Sequence, residues 1–82
     1  MYKALLKASA KRELDGLPAK IRGKIRVAID ELRRMGIHAT NVKKLQPPLG
    51  GYRMRIGEHR ILFDRDEDIL LIHHISKRAD AY

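Results

Sequence analysis

The stretch GYRMRIGEHRILF, residues 51–63, constrains the fold of this chain more than any other. It reads as two short strands joined by a tight turn at Gly57-Glu58. With that turn the pairing is fixed: Ile56 faces His59, Arg55 faces Arg60, Met54 faces Ile61 and Tyr52 faces Phe63. Side chains alternate across a strand. One face of the hairpin therefore carries Tyr52, Met54, Ile56, Ile61 and Phe63, and the other carries Arg53, Arg55 and Arg60 with Leu62 among them. Like charges directly opposite each other destabilise a sheet, and Arg55 meets Arg60 in that way. Three arginines gathered on one small surface despite this repulsion imply that an anion binds there.

Eighty-two residues make a single domain, residues 1–82, with one modest core. With one Phe and three Tyr, Leu and Ile must supply most of that core. The absence of cysteine excludes a disulfide framework and a thiolate metal site, and it suits a reducing cytoplasm. Lys and Arg number 18 against 10 Asp and Glu, a net charge of +8, which implies a polyanionic partner. Nucleic acid fits better than an anionic membrane, because the basic residues lie on more than one predicted element. No apolar run is long enough to span a membrane. The opening MYKALLKASAKRE is too short and too charged for a secretory signal.

Residues 2–7 read as a short strand. Ser9 is placed to cap a helix over residues 10–16 that Gly16 ends, with Leu14 and Leu17 facing inward. Pro18 opens a long helix over 18–35, where Ile21, Ile25, Ala28, Ile29, Leu32 and Met35 form one face and Gly36 fits the C-terminal cap. Residues 37–50 read as a loop, broken by Pro47 and Pro48 and anchored by Leu45 and Leu49. The acidic cluster 64–68 holds a second turn, and residues 69–75, apolar on both faces, read as a central strand. The expected class is α+β: a small antiparallel sheet in the order β-α-α-β-β-β, with the two helices packed on one face and the arginine face left open.

A second turn at Asp66-Glu67 would set Arg60 against His73 and Ile61 against Ile72. His73 would then join Arg55 and Arg60 in a row on the open face, and His59 and His74 would pair on the covered face. A slip of one residue would exchange the two histidines. The last strand would end beside Arg60, bringing Lys77, Arg78 and Tyr82 toward the arginines. Such a cluster suits a phosphodiester. Arginine forks bind phosphate oxygens bidentately and offset the charge that develops on a phosphorane. A tyrosine can stack on a base, as single-stranded RNA binding commonly requires. RNA supplies its own nucleophile, the 2′-OH, so no metal or other cofactor is called for. The acidic residues 66–68 lack the spacing of a calcium loop and read as a solvated turn.

The pattern YRMRIGEHRILF followed by HHISKRADAY, with KKL before it and this order of elements, resembles the RelE toxins of the RelE/ParE superfamily over nearly the whole chain. The resemblance implies a RelE-like fold and a toxin of a type II toxin–antitoxin system. It implies an endoribonuclease that cleaves messenger RNA in the ribosomal A site by 2′-OH attack and so inhibits translation. A cognate antitoxin is the implied partner, in a hetero-oligomer. Carried over by position, Arg53 and Arg55 match the two basic strand residues, and Arg60 matches the phosphate-stabilising arginine. Arg78, or Lys77, matches the basic residue before the end, and Tyr82 matches the terminal tyrosine. Lys44 and Lys77 join Arg53 and Arg55 as phosphate-binding candidates. Some members carry lysines where this chain has Arg53 and Arg55. Arginine stays protonated, which leaves Tyr82 and His73 as candidates for the general base. A ParE-like inhibitor of DNA gyrase and a non-catalytic nucleic-acid-binding homologue are the alternative readings of the same fold.

Overall fold

The computed structural model of the chain describes residues 1–45 and 50–77. They form β1 (Lys3–Leu6), α1 (Ala8–Asp15), α2 (Ala19–Met35), a 3₁₀ turn over Gly36–His38, β2 (Val42–Lys44), β3 (Tyr52–Ile56), β4 (His59–Asp66) and β5 (Ile69–Lys77). The five strands make one sheet in the order β1-β5-β4-β3-β2. The class is α+β as expected, but the sheet is mixed. β1 pairs with β5 in parallel, because the helical crossover returns the chain in the same direction. The segment expected to be a loop contributes the short edge strand β2, antiparallel to β3. Pro47, Pro48 and Leu49 lie outside the described residues.

The core is the layer between the two helices and the sheet, with Ala10 and Leu14 of α1 buried in it. Ile25, Ala28 and Leu32 of α2 cluster with Met54, Ile61, Phe63, Leu70, Ile72 and Ile75. The helical face read from the sequence holds except at its end, where Met35 is half exposed. β5 lies between β1 and β4, central as its two apolar faces require. Among the described residues no helix is long and apolar enough to cross a membrane.

The first hairpin has the predicted register at each of the four pairs named above, Arg55 opposite Arg60 among them. Gly57 opens its turn at φ +57, a conformation that glycine adopts without steric penalty. The second hairpin departs from expectation. Its turn falls at Glu67-Asp68, Ile61 pairs with Ile75, and Arg60 pairs with Ser76. Between Leu62 and Phe63 the register shifts: Leu62 faces His74 while Phe63 faces Ile72, so β5 carries one extra residue. That is a β-bulge. Its cause lies in the apolar spacing. Ile61 and Phe63 are two residues apart, whereas their buried partners Ile75 and Ile72 are three apart.

Ser9 does not cap α1. The N-cap position is Lys7, with no side-chain cap, and the Ser9 hydroxyl donates to the carbonyl of His73 at 3.0 Å. One turn later, Glu13 Oε1 accepts the backbone N–H of Ile75 at 2.9 Å. β1 pairs only with residues 69–72 of β5, so these two side chains satisfy backbone groups on the edge that β1 leaves uncovered. Glu13→Ala is expected to lower stability by about 1–2 kcal/mol. Lys11→Ala, on the exposed side of the same helix, should change it by less than about 0.5 kcal/mol. Urea titration of the two variants checks the difference.

A second carboxylate ties α2 to the approach to β2. The N–H of Thr40 donates to Glu31 Oε2 at 2.7 Å. That bond, reinforced by the Thr40 side chain and the charge of Arg34, holds the Glu31 carboxyl below its ordinary 4.5 against a small opposing effect of desolvation. A depressed carboxyl stabilises the fold above its unfolded pKa and stops doing so as pH falls through the folded value. The stability difference between wild type and Glu31→Gln should therefore be constant at neutral pH and shrink below about pH 4.5. Thermal unfolding across a pH series measures it.

Candidate nucleic-acid interface

Burying Met54, Ile61 and Phe63 under α2 turns their neighbours in sequence to the other side of the sheet. The pairing arranges these neighbours in rows across the strands. Lys43, Arg53, Leu62 and His74 form one row. Arg55, Arg60 and Ser76 form the next. Asp64 and Leu71 lie in a third, on the far side of the Leu62 row.

Exposure along these rows is uneven. Arg55 is exposed and Arg53 half-buried, but Arg60 retains only 8% of its surface. The face is thus not wholly open, as expected from sequence: one of its three guanidinium groups is sunk into the sheet surface. The Nε of Arg53 is buried and has no hydrogen-bond partner among the described residues. A guanidinium remains charged, and a buried donor left without a partner costs about 1–3 kcal/mol.

Several candidates lie elsewhere than expected. His73 is not in the row of Arg55 and Arg60, since Ser76 holds that place. The bulge sets His73 farther along β5, where its Nε2 lies 2.5 Å from Asp64 Oδ2. His74 does not pair with His59. It sits opposite Leu62, more than half exposed, with Nδ1 3.4 Å from Glu13 Oε1. His59 is buried on the helix-covered side and faces Lys77. Lys77 therefore adjoins the Arg60–Ser76 pair along the strand but alternates to the other face. Lys44 likewise pairs with Tyr52 on the covered side, and Lys43 is the lysine beside Arg53. Arg78 and Tyr82 lie outside the described residues. Among the described residues, no group of three or more His, Asp or Glu side chains is arranged to hold a metal ion.

Sequence reasoning missed Lys43, because β2 was not expected and its alternation was not counted. It also missed Asp64. This residue shares the parity of Arg60 and Leu62, but its acidic neighbours drew it into the turn.

Two helices and a mixed five-stranded sheet are the fold that this chain shares with solved toxins of the RelE and YoeB/ParE kind. The toxin–antitoxin complex RelBE2 from Mycobacterium tuberculosis contains a chain 26% identical at a TM-score of 0.81, covering 94% of this chain and 98% of that one. The RelB–RelE complex from Methanococcus jannaschii gives 22% identity and a TM-score of 0.77, with 95% and 94% covered. The YoeB/ParE toxin from Agrobacterium tumefaciens gives 16% and 0.78, with 94% and 99% covered. No protein-family model and no curated protein matches the chain.

The opposition of Arg55 and Arg60 yields a stability prediction. Arg55→Thr should raise stability by several tenths to about 1 kcal/mol at low ionic strength. Polyphosphate should raise the Tm of wild type more than that of the variant. Differential scanning fluorimetry with and without polyphosphate checks both. Unchanged stability and equal stabilisation would mean that the pair neither repels nor holds an anion.

Proposed function

We propose that the chain is the toxin of a type II toxin–antitoxin pair and a metal-independent endoribonuclease that cleaves messenger RNA in the ribosomal A site. The observation that carries this reading is the β3–β4 register. It sets Arg55 opposite Arg60 with Arg53 in the adjoining row, and the Nε of Arg53 is buried without a protein partner among the described residues. The fold shared with RelE and YoeB toxins supports the toxin role.

In the proposed reaction the scissile phosphate is held by Arg53, Arg55 and Arg60. The ribose 2′-OH loses its proton and attacks phosphorus. The P–O5′ bond breaks, leaving a 2′,3′-cyclic phosphate, and the departing 5′ oxygen takes up a proton. The arginines neutralise the charge that builds on the non-bridging oxygens, where loss of one such donor typically costs 10²–10³ in rate. They cannot accept the proton. Of the two candidate bases, His73 is held by Asp64 outside the Arg55–Arg60 row, which favours Tyr82.

The partner in this reading is an antitoxin with an acidic, apolar segment able to fold onto a basic surface. The similar structures from M. tuberculosis and M. jannaschii are toxin–antitoxin complexes.

Single-turnover cleavage on ribosomes programmed with messenger RNA tests the assignment. Arg53→Ala and Arg60→Ala are each expected to lose about 10²-fold or more. Tyr82→Phe should lose a similar factor, from the general-base contribution, and His73→Gln less than about tenfold. Full activity in Tyr82→Phe would eliminate the tyrosine as base. Inhibition of gyrase supercoiling with translation untouched would replace the ribonuclease by a ParE-like inhibitor. Binding of RNA on ribosomes without cleavage would leave a non-catalytic homologue.

A further inference from the structure

We propose that the recess beside the arginine rows is a nucleobase pocket selective for guanine, with Asp64 as the residue that selects it. The proposal rests on the RNA reading above only for the source of the nucleotide. A cavity of ≈ 300 Å³ opens beside Leu45, Gly50 and Leu62, with Asp64, His73 and His74 on its wall, and it is bordered by Tyr52 and Phe63, whose side chains turn to the covered face. Apolar surface with a few fixed polar groups is what a planar heterocycle requires. Leu62 faces Arg53 directly across the β3–β4 pair, about 5 Å away at strand spacing. A phosphate on Arg53 therefore leaves its own base within reach of the recess.

Asp64 is a carboxylate beside a surface that gathers anions, where it repels phosphate. The structure nevertheless holds it in place. Its Oδ2 bonds His73 Nε2. Gly51, at φ +76, makes room for its Oδ1: a Cβ there would stand 2.6 Å from that oxygen and 3.0 Å from the Phe63 carbonyl. The side chain remains 55% exposed toward the recess. A carboxylate only accepts hydrogen bonds, and each oxygen can take more than one. Guanine presents two adjacent donors, N1–H and the N2 amino group, which match its two oxygens. Uracil offers one N–H flanked by carbonyls that a carboxylate repels. Adenine and cytosine each set a ring acceptor beside their amino group.

Titrating the full chain with guanosine, inosine and uridine 5′-monophosphates, followed by NMR of backbone amides, tests this. Guanosine monophosphate should shift Leu62, Asp64 and His73 and bind about tenfold tighter than uridine monophosphate. Inosine monophosphate, which lacks the N2 amino group, should fall between them. Asp64→Asn, with an otherwise superimposable spectrum, should bring all three within about twofold. Arg53→Ala should weaken them equally. Equal affinities in wild type, shifts confined to Arg53 and Arg55, or no shifts at all would overturn the pocket. No step of the test requires cleavage. Retained guanine selectivity in a protein inactive on ribosomes would remove the ribonuclease reading and leave the pocket standing.

Discussion

The pairing of β5 with β4 through one extra residue governs the rest of this molecule. Leu70, Ile72 and Ile75 must all reach the core, yet 72 and 75 have opposite parity. A regular strand would expose either Leu70 and Ile72 or Ile75. Fully burying an isoleucine is worth about 1.5–3 kcal/mol, so a regular register would forfeit that for at least one large side chain. The bulge resets the alternation between these positions. The residues at the reset are His73 and His74, and neither joins the core. One meets Asp64 on the outer face and the other meets Glu13 of α1. A packing requirement inside the sheet thus sets the polar chemistry outside it.

The same strand explains the position of α1. β1 is four residues long and covers less than half of β5. Beyond Ile72 the edge would present bare backbone groups, a liability in any sheet. Ser9 and Glu13, one helical turn apart, supply the donor and acceptor that a longer β1 would have supplied. The helix thereby borders the basic face through Glu13 and His74.

What could be read in the sequence follows from which rules act locally. The first hairpin was legible to the residue, because Gly57 fixes the turn and alternation does the rest. The long helix was legible from its 3.6-residue spacing. The second hairpin was not, because a bulge is chosen by what both strands must bury, and the turn residues alone favoured another register. β2 is three residues long and has too little alternation to declare itself. Parallel pairing of β1 depends on where the crossover helices set the chain down, a tertiary matter. Ser9 illustrates the same limit: a hydroxyl at a helix start is a good cap in isolation, and here a strand edge competes for it and wins. The three arginines were assigned to the correct face, but the burial of Arg60 depends on neighbours that strand pattern alone does not specify.

Arginine where a lysine would serve as well for charge alters what this face can do. A lysine's pKa responds to burial and to neighbouring cations and can fall toward neutrality. A guanidinium's does not, so Arg53 and Arg60 remain cations even when half or wholly buried in the sheet surface. The face then keeps its positive charge at every physiological pH, and in the proposed reaction proton transfer would have to come from a separate group. Such a division has a physical advantage. In the proposed reaction the β3–β4 hairpin would set the phosphate geometry, and a group carried on another segment would deliver or withdraw a proton without disturbing it. It also sets a condition on the proposed reaction: a surface of permanent cations would bind polyanions whether or not the base is in place, so control would fall to whatever covers the arginines or withholds the proton acceptor.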